Sequence, residues 1–343
     1  MTVDIRPLAV DDLPALSRFL TAGFHTPDDA EFAAVDVLRW KYLEPARPEP
    51  RSLVAIDEVG AIVGHVGLVP TAFAGPGLSA PVPALHMIDW LGSREHRSVG
   101  ASLMRRAHEA APVQFGLGGS DAGRSVIRRG GYEPMPPVTV HGRILSPLRW
   151  LRAGGASPRQ AARAARDLAR RLARPPRPAT VRLELDPIPS FGPEALDVVA
   201  AASRHAVVTA RTPERLDALL RYPRRPASAY LFRSPDGRAC GLAILATLPR
   251  GRTTLGRVVD LLLDDADAET WHAALLLASA ELKRLGADSA QAFASPPWTT
   301  EALRRAGFQM RHPLDFSLRD RRALLPRDAP TYLTPIEADY AFG

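Results

Sequence analysis

Two halves of this 343-residue chain carry the same strand and helix marks in the same order, at offsets of 171 to 182 residues. Leu38-Arg39-Trp40 answers to Leu220-Arg221-Tyr222, Gly60 and Gly64 to Gly237 and Gly241, and Ile88-Asp89 to Val259-Asp260. Arg128-Arg129-Gly130-Gly131-Tyr132 answers to Arg304-Arg305-Ala306-Gly307-Phe308. A repeated order with drifting offsets predicts a duplicated α/β unit, and the length suits two cores better than one.

The hydrophobic content of 46% and charged content of 24% are those of a globular protein. One cysteine, Cys240, excludes an internal disulfide and a thiolate metal cluster, and fits a reducing cytoplasm. The N-terminus lacks the basic-then-apolar layout of a signal peptide, and no apolar run reaches the roughly 18 residues of a membrane span. The net charge of +7 suggests nucleic acid, but its distribution does not. Residues 147–180 hold nine arginines against one acid, Asp167, for +8, so the remainder carries −1.

Three segments follow: 1–146, an Arg-rich helical linker at 147–180, and 181–343 with a C-terminal tail. In the first, residues 4–6 lead into a helix with Leu13, Leu16, Phe19 and Leu20 at helical spacing, and 28–43 read as a second helix. Strands are expected at 52–56, 61–70, 84–91, 113–117 and 138–145, with helices at 99–111 and 121–130. The second half repeats the plan with strands at 227–233, 239–248, 257–263, 289–294 and 308–317. In the linker, arginines 159, 163, 166, 170, 174 and 177 recur every three or four residues, placing them on one helix face. Residues 157–177 read either as a solvated joining helix or as an anchor for nucleic acid or an anionic surface.

The chemistry concentrates in the strand-to-helix turn after His86-Met87-Ile88-Asp89-Trp90-Leu91. The loop Glu95-His96-Arg97-Ser98-Val99-Gly100-Ala101-Ser102 opens an amphipathic helix at small residues. The first amides of a helix lack internal acceptors and, with the helix dipole, favour an anion. Ser98, Gly100 and Ala101 leave room for a phosphate, and Arg97 adds a positive charge. The counterpart turn, Asp264-Asp265-Ala266-Asp267-Ala268-Glu269, sets four carboxylates where a pyrophosphate would be repelled. Asp89, an acid in an apolar strand, is the first candidate for a general base. His86, placed on the opposite face by strand alternation, is the second. Either also reads as a structural residue, and Asp260 at the matching place favours that for Asp89. Gly116-Leu117-Gly118-Gly119-Ser120 lacks the third glycine of a dinucleotide fingerprint and reads as a loosened strand end with a helix cap.

On the element order, the opening Ile5-Arg6-Pro7 with Asp12-Leu13, the turn at 95–100 and the closing Gly131-Tyr132, the chain resembles the GCN5-related N-acetyltransferase (GNAT) superfamily. The resemblance covers 3–145 well and 181–318 as a worn copy. It implies two tandem GNAT-like domains, each a mixed, mostly antiparallel central sheet flanked by helices, the second degenerate. The family loop is Arg/Gln-x-x-Gly-x-Gly/Ala. Here Gly100 matches, while Ser98 and Glu95 replace the first glycine and the leading residue. The tyrosine that often serves as acid for the leaving thiolate falls at Ile127. The resemblance further implies acetyl-CoA or another acyl-CoA as co-substrate, without a metal, and acyl transfer to a primary amine of a small molecule or amino sugar. Trp90, Leu91, Arg97, Ser98, Val99, Gly100, Ala101 and Ser102 would hold the coenzyme, with Ser120 and Arg124 beside a splayed strand. Tandem folds of this type also include Fem-like aminoacyl transferases, and the departures at 95, 98 and 127 leave open a non-catalytic binding or scaffold protein.

Overall fold

The computed structural model describes residues 3–44, 49, 51–153, 162, 165, 166, 169, 176–337 and 342. Most of the arginine-bearing stretch 157–177 lies outside the described residues, as do the chain's last positions apart from Phe342.

One fourteen-stranded sheet runs through the molecule. The first half of the chain supplies β1 (Asp4–Pro7), β2 (Leu53–Ile56), β3 (Ile62–Ala74), β4 (Val82–Gly92), β5 (Val113–Leu117) and β6 (Glu133–Ile144). The second supplies β7 (Glu184–Ile188), β8 (Val207–Thr209), β9 (Ala227–Arg233), β10 (Ala239–Arg250), β11 (Thr253–Leu263), β12 (Ser289–Ala294), β13 (Gln309–Asp320) and β14 (Thr331–Tyr332). The order is β1-β2-β3-β4-β5-β13-β6-β12-β11-β10-β9-β7, with β8 pairing β3 and β14. β4 with β5, β11 with β12 and β8 with β14 are parallel; the other pairs are antiparallel. The closing strands are exchanged. β13 pairs β5 of the first half, and β6 pairs β12 of the second. The ladder therefore continues from one half into the other with no sheet edge between them, which protects backbone groups that would otherwise be open.

Helices cover both faces. α1 (Leu13–Phe24) carries Pro14 in its first turn and buries Leu13, Leu16 and Leu20 completely. Each such leucine contributes roughly 1.5–3 kcal/mol by leaving water. His25 ends the helix in the left-handed conformation at φ 54°. Residues 4–6, expected to lead into a helix, do so as part of the edge strand β1. Ile5 pairs Ala55, and the turn that follows is held by Arg6 donating to both oxygens of Asp12 at 2.7 Å. The second expected helix starts late, as α2 (Val35–Leu43), after a single 3-10 turn at Glu31–Ala33.

α2 buries Val37, Leu38, Trp40, Lys41 and Tyr42 and leaves Val35, Asp36 and Arg39 exposed. It is wedged between the first half and the second. The Trp40 indole donates to the Ala218 carbonyl at 2.8 Å and meets the Tyr222 ring edge-on at 5.0 Å. α3 (Val99–His108) lies on the opposite face, with Val99, Leu103 and Ala107 against the sheet. Gly64 permits this approach, since a Cβ there would stand 2.5 Å from Val99 and 2.8 Å from Leu103. α4 (Asp121–Arg129) and α5 (Pro147–Ala153) complete the first half; α6 (Pro193–Ala202), α7 (Pro213–Leu220), α8 (Ala268–Arg284) and α9 (Pro297–Arg305) belong to the second. Among the described residues no helix is long and apolar enough to cross a membrane.

Candidate active site

β3 and β4 pair without interruption from Phe73–Val82 to Gly67–Ile88, and then the register slips. The next pair is His65–Leu91, so Val66 alone faces both Asp89 and Trp90. This is a β-bulge, and Asp89 adopts the left-handed conformation at φ 47° to make it. A bulge takes backbone groups out of the ladder and re-aims a side chain. Here it turns the Asp89 carboxylate towards α2. Lys41 Nζ donates to Asp89 Oδ2 at 2.7 Å, and the Tyr42 hydroxyl donates to the same oxygen. Both charged side chains are nearly inaccessible, at 7% for Lys41 and 8% for Asp89.

Burial alone would raise the Asp89 pKa. The charge and hydrogen bond of Lys41, with the bond from Tyr42, overcome it and hold the carboxyl down at about 2. His65 stands beside the cluster, its Nδ1 2.9 Å from the Asp89 carbonyl oxygen and its ring edge-on to Tyr42 at 5.2 Å. Burial lowers its pKa to about 4, so the imidazole is neutral near pH 7. Its Nε2 has no partner among the described residues.

Strand alternation sets His86 opposite Asp89, but the bulge cancels that alternation. His86 stacks on Phe115 at 4.8 Å, and Phe115 meets Phe73, which has the same parity on β3 as His65. His86 and the Asp89 cluster therefore share the α2 face. Trp90 goes to the α3 face, where its indole donates to the Gly100 carbonyl at 3.1 Å. Leu91 returns to the α2 face, packing where a Cβ on Gly23 would collide at 2.2 Å.

The turn after β4 forms the start of α3. Ser98 takes the left-handed conformation at φ 74° and gives no side-chain cap. The Val99 amide bonds the His96 carbonyl at 3.3 Å, and the Ser102 amide bonds Ser98 at 2.9 Å. The amides of Gly100 and Ala101, between them, have no helical acceptor by position. Arg97, Ser98 and Ala101 are exposed around them, whereas Val99 is buried beneath. Ser102 accepts from Arg105 at 3.1 Å.

β5 stays beside β4 for only three rungs, Ala84–Val113, Leu85–Gln114 and His86–Phe115. Beyond them the strands part, because β5 is drawn to its other neighbour. Gly116 and Leu117 pair Ser317 and Phe316 of β13, and the Gly118 amide donates to the Asp315 carbonyl at 2.7 Å. The wedge so formed starts on β4 just before the bulge at Asp89 and Trp90. Ser120 caps α4, accepting from the Gly123 amide at 3.2 Å. Arg124 is turned to Asp315 at 2.9 Å and to the Gly119 carbonyl at 2.7 Å, so it braces the wedge's outer strand.

No protein-family model matches this sequence, and no curated protein matches it. Solved structures do. A GCN5-related N-acetyltransferase from Anabaena variabilis superposes with a TM-score of 0.62 at 13% identity, over 92% of this chain and 72% of that one. Saccharomyces cerevisiae N-myristoyltransferase with bound myristoyl-CoA gives 0.59 at 15% identity, over 99% and 89%. A probable N-acyltransferase from Enterococcus faecalis gives 0.59 at 11% identity, over 93% and 72%. This chain has the GNAT superfamily fold.

A second wedge exists in the C-terminal half and is filled. β11 and β12 also pair for three rungs, Leu255–Ser289 to Arg257–Gln291, and then part. β10 and β11 also slip in register, between Ile244–Asp260 and Leu245–Val258. Residues 331–337 occupy the opening. Tyr332 packs edge-on to Trp271 at 5.2 Å and donates to the Leu261 carbonyl. Thr334 donates to Asp260 at 2.9 Å, and the Leu333 amide donates to Ser295 at 3.0 Å. Only about 10 Å³ remains among Val258, Leu261, Phe293 and Tyr332, room for one water. Asp260 is bound by Arg211 at 2.8 and 3.1 Å, with Glu337 3.7 Å from that guanidinium, all fully buried. At the acidic turn Asp267 caps α8 through the Thr270 amide at 2.9 Å, and Asp264 and Glu269 pair Arg238 and Arg305. Among the described residues no group of ligating side chains could hold a metal.

Sequence reading missed Lys41, Tyr42 and His65. Their one local signal is a lysine between two aromatics, Trp40-Lys41-Tyr42, in a helix too short to show a polar face.

Proposed function

We propose that this protein transfers an acyl group from acyl-CoA, with acetyl-CoA the first candidate, to a primary amine on a small molecule or amino sugar, in the cytoplasm. We further propose that residues 1–146 act as the acyl-CoA-binding domain of a tandem pair and that 181–343 are its degenerate partner. The observation that carries this is the contrast between the wedges: one opens onto unpartnered helix amides, and the other is closed by the chain's own tail over an acidic turn.

The residues present suit a coenzyme. The amides of Gly100 and Ala101 would hold its diphosphate, helped by the α3 dipole and Arg97. Trp90, Leu91, Ser98, Val99 and Ser102 shape that turn, and Ser120 and Arg124 fix the wedge's outer wall. Bound acyl-CoA would supply an activated thioester carbonyl. At the bulge, backbone N–H groups released from the ladder are suited to developing negative charge on a carbonyl oxygen.

Asp89 is our principal site residue on the acceptor side. Lys41 and Tyr42 both bond Oδ2, which leaves Oδ1 to accept an N–H from an incoming amine and to orient it. A carboxyl held at about 2 stays ionised at neutral pH but is a weak base. In this reading Asp89 aligns the amine, and water or His86 takes its proton.

Calorimetry with acetyl-CoA and with a long-chain acyl-CoA tests the assignment. Micromolar binding of either, lost in Gly100→Glu, is the expected result. No binding of any acyl-CoA by the wild-type chain rejects it.

A further inference from the structure

The C-terminal end of α3 faces a buried positive charge that no carboxylate neutralises among the described residues. Arg319 lies on β13 opposite Gln114 of β5 and is only 7% exposed. Among the described residues its Nε has no hydrogen-bond partner and no carboxylate pairs with it. Arg321, two residues on, brings a second guanidinium, whose Nη2 would stand 3.3 Å from a Cβ on Gly131. His108, in the last turn of α3, closes the third side. Its ring lies 5.8 Å from that of Tyr132, and its Cε1 would lie 3.5 Å from a Cβ on Gly130. The His108 Nε2 is also buried without a partner among the described residues. Burial and the two arginines hold this histidine at about 4, hence neutral.

Nearby polar groups are already engaged. Asp320 accepts from the amides of Leu324 and Leu325 at 3.0 and 2.9 Å. Glu133 pairs Arg327 at 2.7 Å, and Glu109 pairs Arg106 at 3.7 Å. Gln114 gives its NH₂ to Ala107 and its oxygen to Tyr132. A guanidinium kept in a buried place without a counter-charge is strongly unfavourable unless an anion arrives from outside. The planar fork of arginine matches two oxygens of one oxyanion. The Gly130-Gly131 pair, one member at φ 87°, keeps side chains out of the recess.

We propose that Arg319, Arg321 and His108 form a binding site for a compact oxyanion of the phosphate class, separate from the turn that opens α3. The two lie at opposite ends of that helix, about 13 Å apart along its axis. The anion is either free phosphate or the phosphoryl group of a small monoester.

The test is calorimetry near pH 7 at constant ionic strength, titrating inorganic phosphate and, separately, glycerol 3-phosphate. One equivalent is expected to bind, and tighter binding of the monoester identifies the ester as the source. Arg319→Met should weaken binding at least about tenfold, the loss of a charge-assisted pair. Gly100→Glu, altered at the other end of α3, should leave it unchanged. If Arg319→Met fails to fold, Arg321→Gln, at an exposed position, should still weaken binding. The proposal is overturned if neither anion binds above the chloride control. It is equally overturned if binding is lost in Gly100→Glu and kept in the arginine variants.

Discussion

Replacing Asp89 by asparagine would separate the buried charge from its partner while keeping the side chain's shape. The carboxyl is lowered from 3.8 to about 2 by Lys41 and Tyr42. That difference corresponds to roughly 2–3 kcal/mol of stability at neutral pH. Asp89→Asn also leaves the Lys41 ammonium buried with no counter-ion, and breaking such a pair costs about 3–5 kcal/mol. We therefore expect a loss of about 3 kcal/mol, read from urea unfolding followed by tryptophan fluorescence. Lys41→Met should cost a comparable amount, because it strands the carboxylate. The double variant should be less damaged than the sum of the two, with a coupling of about 2 kcal/mol or more. The pH dependence follows in sign. A folded-state pKa below the unfolded one adds stability that is complete above about pH 4 and fades as pH falls towards 2. Lys41→Met should remove that acid-side loss. A cost below about 1 kcal/mol for Asp89→Asn, or strict additivity in the double variant, refutes the account of a tightly coupled buried pair.

Ser98 holds a left-handed conformation that glycine adopts freely, so Ser98→Gly should stabilise the fold by about 1 kcal/mol in thermal unfolding without weakening acyl-CoA binding. Gly64→Ala would place a methyl 2.5 Å from Val99; lifting α3 should cost about 1–3 kcal/mol and weaken coenzyme binding in calorimetry. Tyr332→Ala would empty the C-terminal wedge and orphan the Leu261 carbonyl, at about 3–5 kcal/mol in urea. Arg211→Met would leave Asp260 and Glu337 buried together without their cation, with a loss of about 3–5 kcal/mol in urea unfolding.

Periodicity and turn chemistry made most elements legible. The α3 turn, the three-strand run through β4 and the glycine-loosened end of β5 follow from small residues after an apolar run. The exchange of closing strands does not. β6 begins Glu133-Pro134-Met135-Pro136-Pro137, and prolines argue against a strand in the interior of a sheet. The expected strand accordingly began at Val138, whereas pairing with β13 runs back to Glu133. The bulge at Asp89 has no sequence mark either, since a left-handed aspartate in an apolar strand is chosen by tertiary pairing. Missing it also put His86 on the wrong face. Lys41 escaped because charge in a helix normally reads as solvent-facing, and only the packing of α2 between the two halves buries it.

The filled wedge clarifies what the open one requires. Parting two parallel strands exposes backbone groups and apolar side chains on both walls, and some partner must cover them. In the C-terminal half that partner is residues 331–337, which supply an aromatic ring, a hydroxyl and a carboxylate to Trp271, Leu261 and Arg211. In the N-terminal half β4 and β5 part after the same number of rungs, beside a bulge whose acid is already charge-balanced by Lys41. On the proposed reading, a ligand there would bring its own extended arm to line the wedge and its own anion for the α3 amides. An arm ending in a diphosphate meets both demands at once, and the acidic cap of α8 would refuse the same molecule.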